Sequence, residues 1–359
     1  MLSSESEHLF ALSHLPSFSA KRLRRWIDVF GSAERAWTAS TMELVERGIP
    51  QNAAERFFHE RAVIDIAQKK VQCARLGITF HAMGTEQFPP LLMEIPDPPL
   101  GLFVKGKQCD APVSLAVVGT RRPSLYGQQV TRDLVGSLAE QNIPIVSGLA
   151  LGIDGIAHEA ALERDGITVA VLAAGLDQIY PSMHAGLAER IVGRGGALVS
   201  EFPPGVPALK HHFPIRNRLI AGMTNGTMVT EAPRSSGALL TAELALGYDR
   251  DVFAVPGAIT NPVSAGTNHL LKRGAQVVTC ADDVLAAYHL EQKTQHLPLP
   301  ETLTGTERNL LAFFGPEPLT VDQLVKMSTL EASVVNATLT LLLMKGWIVQ
   351  LDPVHYTKV

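Results

Sequence analysis

From Val113 to residue 290 the chain repeats one texture: short, apolar, β-branched runs, each followed by a segment with helical spacing. The runs read VSLAVVG, IPIVSG, ITVAVLAAG, ALVSE, GTMVTEA, RDVFAVPG and AQVVTC, and segments such as 127–141 and 237–248 lie between them. Strands buried on both faces read as continuous apolar runs, and parallel neighbours need a crossover that is usually a helix. The expected fold class is therefore α/β, with an extended Rossmann-like, doubly wound sheet over 113–290.

The flanks have other textures. Residues 1–80 are charged and helical, and AKRLRRWIDVFGSAERAW (20–37) is spaced for short amphipathic helices. Residues 81–112 carry a stretch rich in proline and glycine, which reads as an irregular connector. A polar, proline-containing linker is expected at 291–302. Residues 303–359 show three helical patterns followed by KGWIVQLDPVHYTKV, the layout of a winged helix.

A net charge of −4 excludes a surface that is cationic all over, but not a local basic groove. LKHHFPIRNRLIAG (209–222) is such a place, and no Asp or Glu occurs from Phe202 to Thr230. Cys73, Cys109 and Cys280 lie far apart without a CxxC, so neither a zinc ribbon nor a disulfide framework is expected, and a reducing compartment fits. The start, MLSSESEHLF, has no basic n-region, and the longest uncharged apolar run (167–176) is well short of the roughly 18 residues that span a bilayer. A soluble, cytoplasmic protein with no membrane partner is the expectation.

Ligands of doubly wound sheets sit at the carboxyl ends of the strands, near the switch in strand order. The first such loop, GTRRPSLYG (119–127), is neither GxGxxG nor a P-loop, and the chain has no GK[ST]. Arg121 at a helix start, with free backbone N–H groups beside it, suits a phosphate; the alternative is that Arg121 and Arg122 pair with surface carboxylates. In SGLALGIDGIAHEAAL (147–162), Gly148, Gly152 and Gly155 allow a close backbone approach, while Asp154 and His158 fit packing equally well. Arg216 and Arg218 cannot share one helix face. Phe213 is either a core residue or a stacking platform for a base. Ser235, Ser236, Gly237 and Thr241 stand at a helix N-terminus, an anion site by geometry. No nucleophile–base set, metal-binding carboxylate cluster or H-E-x-x-H occurs, so binding rather than catalysis is expected, with no metal.

Taken together, VGTRRPSLYG, SGLALGIDGIAHEAAL, EFPPGVPALKHHFPIRNRLIAGMT, EAPRSSGALLTAELAL, VFAVPG and GTNHLLKRGA resemble the DNA-processing DprA/Smf family. The resemblance implies a single-stranded DNA-binding protein of natural transformation, which protects incoming DNA and loads RecA onto it. It also implies a homodimer through the Rossmann-like domain and no nucleotide cofactor. By the same resemblance Arg121, Lys210 and Phe213 grip DNA, and Asn217 and Arg218 line their pocket. The loop positions Gly119, Thr120, Ser147, Gly148, Ser236 and Gly237 complete the expected DNA-facing set. Gly119-Thr120-Arg121 stands where the family usually has Gly-Ser-Arg, which keeps a hydroxyl.

The N-terminal part resembles a SAM-like or helix-hairpin-helix module, but LPSFSAK (15–21) has serines where a phosphate-binding hairpin carries glycines. In the winged helix, the recognition segment 331–346 offers only Asn336 and Lys345 to DNA, which favours a protein-interaction role. The SSGALLTAELA turn bears a more distant likeness to lysine-decarboxylase-like nucleotide phosphoribohydrolases, in which Glu243 would be the acting residue. A winged-helix transcription factor with a ligand-sensing domain is the third reading.

Overall fold

The computed structural model describes residues 4–107, 111–290, 303–315, 318–350 and 355–358; the expected linker at 291–302 lies outside them. The chain divides into two units, 1–292 and 293–359.

The first unit is built on nine strands: β1 (Thr79–Ala82), β2 (Gly101–Gly106), β3 (Leu115–Val118), β4 (Ile145–Ser147), β5 (Thr168–Val171), β6 (Ala197–Ser200), β7 (Gly226–Val229), β8 (Asp251–Ala254) and β9 (Gln276–Val277). They form one sheet in the order β1-β2-β6-β5-β4-β3-β7-β8-β9. From β6 to β9 every pairing is parallel. The order runs outward in both directions from β3, so the crevice between β3 and β7 is the topological switch point. β3 to β7 are buried at every position, as their unbroken apolar runs require.

Residues 81–112, expected to be a connector, instead supply part of the sheet. β2 pairs antiparallel with β6, Phe103 opposite Ser200, and β1 pairs antiparallel with β2. GLFV (101–104) is a fully buried apolar run like the parallel strands, but prolines at 89, 90, 96, 98 and 99 break the helical pattern that would have announced a crossover.

Six helices fill 4–75. Their apolar sides do not close a core of their own: Phe10, Leu23, Trp26 and Phe57 belong to one cluster with Leu172, Leu176 and Leu198 of the sheet domain. Phe10 lies edge-on to Phe80 of β1 at 5.3 Å. Ser19, within the serine-bearing turn, caps the helix Ala20–Phe30 by accepting from the Arg22 N–H. That role explains a serine there without any DNA.

The second unit has helices Gly305–Leu311, Val321–Ser328 and Ala332–Met344 and a three-stranded sheet of 319–320, 348–350 and 355–358, the expected winged helix. Leu310, Leu324, Val335, Leu339 and Leu342 make its core. Lys345 donates to both Glu307 carboxylate oxygens, at 2.7 and 2.9 Å.

Candidate nucleic-acid interface

Three loops meet at the switch point and interlock through their backbones. The Thr120 N–H donates to the Glu231 carbonyl at 2.7 Å, joining the ends of β3 and β7, and the Ile153 N–H donates to the Thr120 carbonyl at 3.1 Å. Gly152 has φ +79°, and a Cβ there would lie 2.4 Å from the Thr120 carbonyl oxygen. Only glycine allows that turn and that approach.

These loops and the helix His212–Gly222 enclose a groove of about 320 Å³, lined among others by Gly119, Thr120, Arg121, Asp154, Phe213, Arg216, Asn217, Ser236 and Gly237. Arg121 is exposed and has no carboxylate within salt-bridge distance among the described residues, so pairing with surface acids does not account for it. Its guanidinium lies 5.3 Å from the centroid of the Phe213 ring. Phe213 is half-buried and belongs to no hydrophobic core cluster among the described residues. Arg216 approaches the ring at 5.8 Å, and Tyr180 stands roughly edge-on at 5.9 Å. Two guanidinium groups thus lie within cation–π reach of the ring.

Arg216 is 4% exposed, and its Nη1 donates to the carbonyls of Gly148 (2.5 Å) and Val171 (2.6 Å). A Cβ on Gly148 would lie 2.4 Å from that nitrogen, which is why the position is glycine. Burial lowers the Arg216 pKa to about 10, with Asp154 opposing the shift. Burial likewise raises the Asp154 carboxyl, against the pull of Arg216 and of the Ala150 and Gly148 N–H groups. The two buried groups thus act on each other electrostatically in the wall of the groove. On the far side Ser236 caps the helix Gly237–Gly247 by accepting from the Ala238 N–H. Gly237 is exposed there, and its N–H has no acceptor among the described residues.

Some expected positions fall elsewhere. Ser147 is fully buried and donates to the Val117 carbonyl at 2.6 Å, a strand-to-strand contact away from the groove. Arg218 does not share the Phe213 pocket. It projects behind the helix, where Nη2 meets both Glu201 oxygens at 2.6 and 2.5 Å and Nη1 donates to the Asp97 carbonyl. Lys210 is exposed just before the helix, with no ion-pair partner among the described residues, but does not line the groove. His212 stacks on Phe202 at 4.1 Å, a packing role.

The helix start after β3 also differs from expectation. Two of the donors there are taken up within the protein: Ser124 N–H donates to a Glu231 oxygen at 2.7 Å, and Ser124 Oγ caps the Gly127 N–H. Glu231 was not legible as a site residue, because nothing local shows that it reaches residues 107 positions away. Glu243 is absent from the groove lining and lies 3.5 Å from Arg273.

Residues 79–289 match the family model described as DNA recombination-mediator protein A, and residues 294–352 match the DprA winged helix domain. The chain belongs to the DprA family. It is 41% identical to Protein Smf of Escherichia coli over 281 residues, covering 74% of this chain and 73% of that protein. It is 35% identical to the DNA processing protein DprA of Bacillus subtilis, over 68% of this chain and 81% of that one. Among solved structures, DprA of Streptococcus pneumoniae superposes with a TM-score of 0.68 at 33% identity, covering 81% of this chain and 99% of that one. DprA of Helicobacter pylori, whose structure was described for its single-stranded DNA binding mode, gives 0.54 at 32% identity over 59% and 95%. Among the described residues of this DprA family member, no helix is long and apolar enough to cross a membrane.

Proposed function

We propose that the protein is a single-stranded DNA-binding recombination mediator of natural transformation that protects incoming strands and loads RecA onto them. It acts as a cytoplasmic homodimer formed through the Rossmann-like domain, and as a binder rather than an enzyme. The observation that carries this reading is the exposed, unpaired Arg121 beside the Phe213 platform at the switch point. A single strand needs cations for its phosphates and a π-face for a base, and both are present in one groove. Asn217 supplies an amide and the exposed Gly237 N–H a donor for a phosphate, while Lys210, outside the groove lining, adds a cation just before the helix. The phosphoribohydrolase reading loses its acting residue, since Glu243 lies outside the groove.

The test is a titration with single-stranded oligonucleotides at several salt concentrations. Arg121→Ala with Lys210→Ala should weaken binding and flatten the salt dependence by roughly 0.7 log unit per lost phosphate contact. Phe213→Ala should cost on the order of 1–3 kcal/mol of binding without unfolding the protein. Wild-type affinity and salt slope in the double variant would refute the site.

A further inference from the structure

The start of the helix Leu125–Glu140, directly after β3, is where a doubly wound sheet offers its first phosphate site. Here a carboxylate from inside the protein takes up donors at its N-cap. The Glu231 carboxylate accepts from the Ser124 N–H at 2.7 Å through one oxygen and from the Ser124 hydroxyl at 2.6 Å through the other. Glu231 is 1% exposed. A Cβ on Gly127 would lie 2.3 Å from its Oε2, so the carboxylate rests against the first turn of the helix. Its carbonyl meanwhile accepts from the Thr120 N–H.

One residue therefore holds both ends of the segment 120–124, and Arg121 stands between the two grips. Among the described residues the Arg121 side chain has no hydrogen bond or ion pair of its own, and it lies over the face of Phe213. A loop held at one end only would have to be ordered by the ligand, and binding would weaken accordingly.

We infer that Glu231 is a positioning residue for Arg121, its carboxylate taking the place of a bound phosphate at the helix start and so fixing the loop that presents Arg121 to the strand. The inference rests on Arg121 being a DNA contact. A consequence is that the Ser124 N–H and hydroxyl are not offered to a DNA phosphate, because a buried carboxylate already occupies them.

Glu231→Gln keeps the size of the side chain but replaces one acceptor with an amide donor facing the Ser124 groups. Short single strands would be titrated at several salt concentrations against wild type, Arg121→Ala, Glu231→Gln and the double variant, with thermal unfolding of each. Arg121→Ala should weaken binding on the order of tenfold, the size of one charge-assisted contact. Glu231→Gln should reproduce most of that loss and lower the salt slope by about 0.7. In the Arg121→Ala background it should add nothing. The inference is overturned where the two losses multiply, or where Glu231→Gln lowers only the melting temperature and leaves affinity and slope intact. Should Glu231→Gln fail to fold, Ser124→Ala removes one of the carboxylate's two donors and is read by the same cycle. Arg121→Ala with wild-type binding would sink the site reading itself and this inference with it, whereas a weakened Arg121→Ala beside a normal Glu231→Gln sinks the inference alone.

Discussion

His158 lies entirely out of solvent behind the groove loops, its Nδ1 2.6 Å from the Thr168 hydroxyl. That hydroxyl donates to the Ile145 carbonyl, so it accepts from His158, and the imidazole carries its proton on Nδ1. Nε2 is left buried and without a hydrogen-bond partner among the described residues. Protonating it would create a buried charge beside His184 and Arg216, and burial above all lowers the pKa from 6.5 to about 3. The sign follows: the unfolded chain takes up this proton first, so the stability is complete above about pH 6.5 and is lost as the pH falls toward 3. Between pH 6 and 4 the stability difference between wild type and His158→Gln, from denaturant titrations, should fall by about 1.4 kcal/mol per pH unit. A difference that does not vary with pH would mean that His158 is not held neutral. At this scale the sequence left packing and function equally open for His158 and Asp154, and geometry separates them: His158 is sealed behind the loops, whereas Asp154 lines the groove. Gly148 was legible as a close approach, but the side chain approaching it, Arg216, lies 68 residues away.

The helix His212–Gly222 shows how one element serves two surfaces. Positions two apart on a helix point to nearly opposite sides, so Arg216 turns to the groove loops and Arg218 to the rear. That division was readable from spacing alone. What each face meets was not, because the partners of Arg218 are Glu201, which follows β6, and Asp97, in the proline-rich stretch. Both members of the Arg218–Glu201 pair are close to fully buried, and burial raises the Glu201 carboxyl even with Arg218 beside it. Arg218→Ala strands a buried carboxylate, and should destabilise the protein by about 3 kcal/mol, the low end for a broken buried pair because Glu201 can take up a proton. Single-strand affinity, measured in the cold on the folded fraction, should stay at the wild-type value. Weakened binding with unchanged stability would return Arg218 to the DNA site. The same limit hid β1 and β2. Antiparallel strands added at a sheet edge need no crossover helix, so the rhythm that exposed β3 to β8 is absent from 79–106.

Across the whole chain, an acidic net charge coexists with a groove in which Arg121 is exposed and has no carboxylate within salt-bridge distance among the described residues. Polyanion binding is then confined to one place and steered there by local field rather than total charge. The parallel core announced itself through continuous apolar runs, whereas the shared core of the N-terminal helices and the sheet did not, since amphipathic spacing shows that a face is buried but not against what. The winged-helix unit, taken by itself, sharpens the choice of nucleic acid. Of the two residues its recognition segment could offer to a duplex, Lys345 is committed to Glu307, and both the Lys345 and Thr304 hydrogen bonds hold that carboxylate below its usual range. The other of the two, Asn336, is exposed on the helix Ala332–Met344. Sequence-specific reading of a major groove takes several side chains on base edges and phosphates, and a single amide does not supply it. The full-length chain should therefore prefer single strands to duplexes at every salt concentration and bind duplexes of different sequence alike. A pool of random duplexes, selected over several rounds and sequenced, checks this directly. Enrichment of one motif, bound some thousandfold more tightly than the pool as specific readers bind, would give the winged helix the DNA-reading role denied to it here.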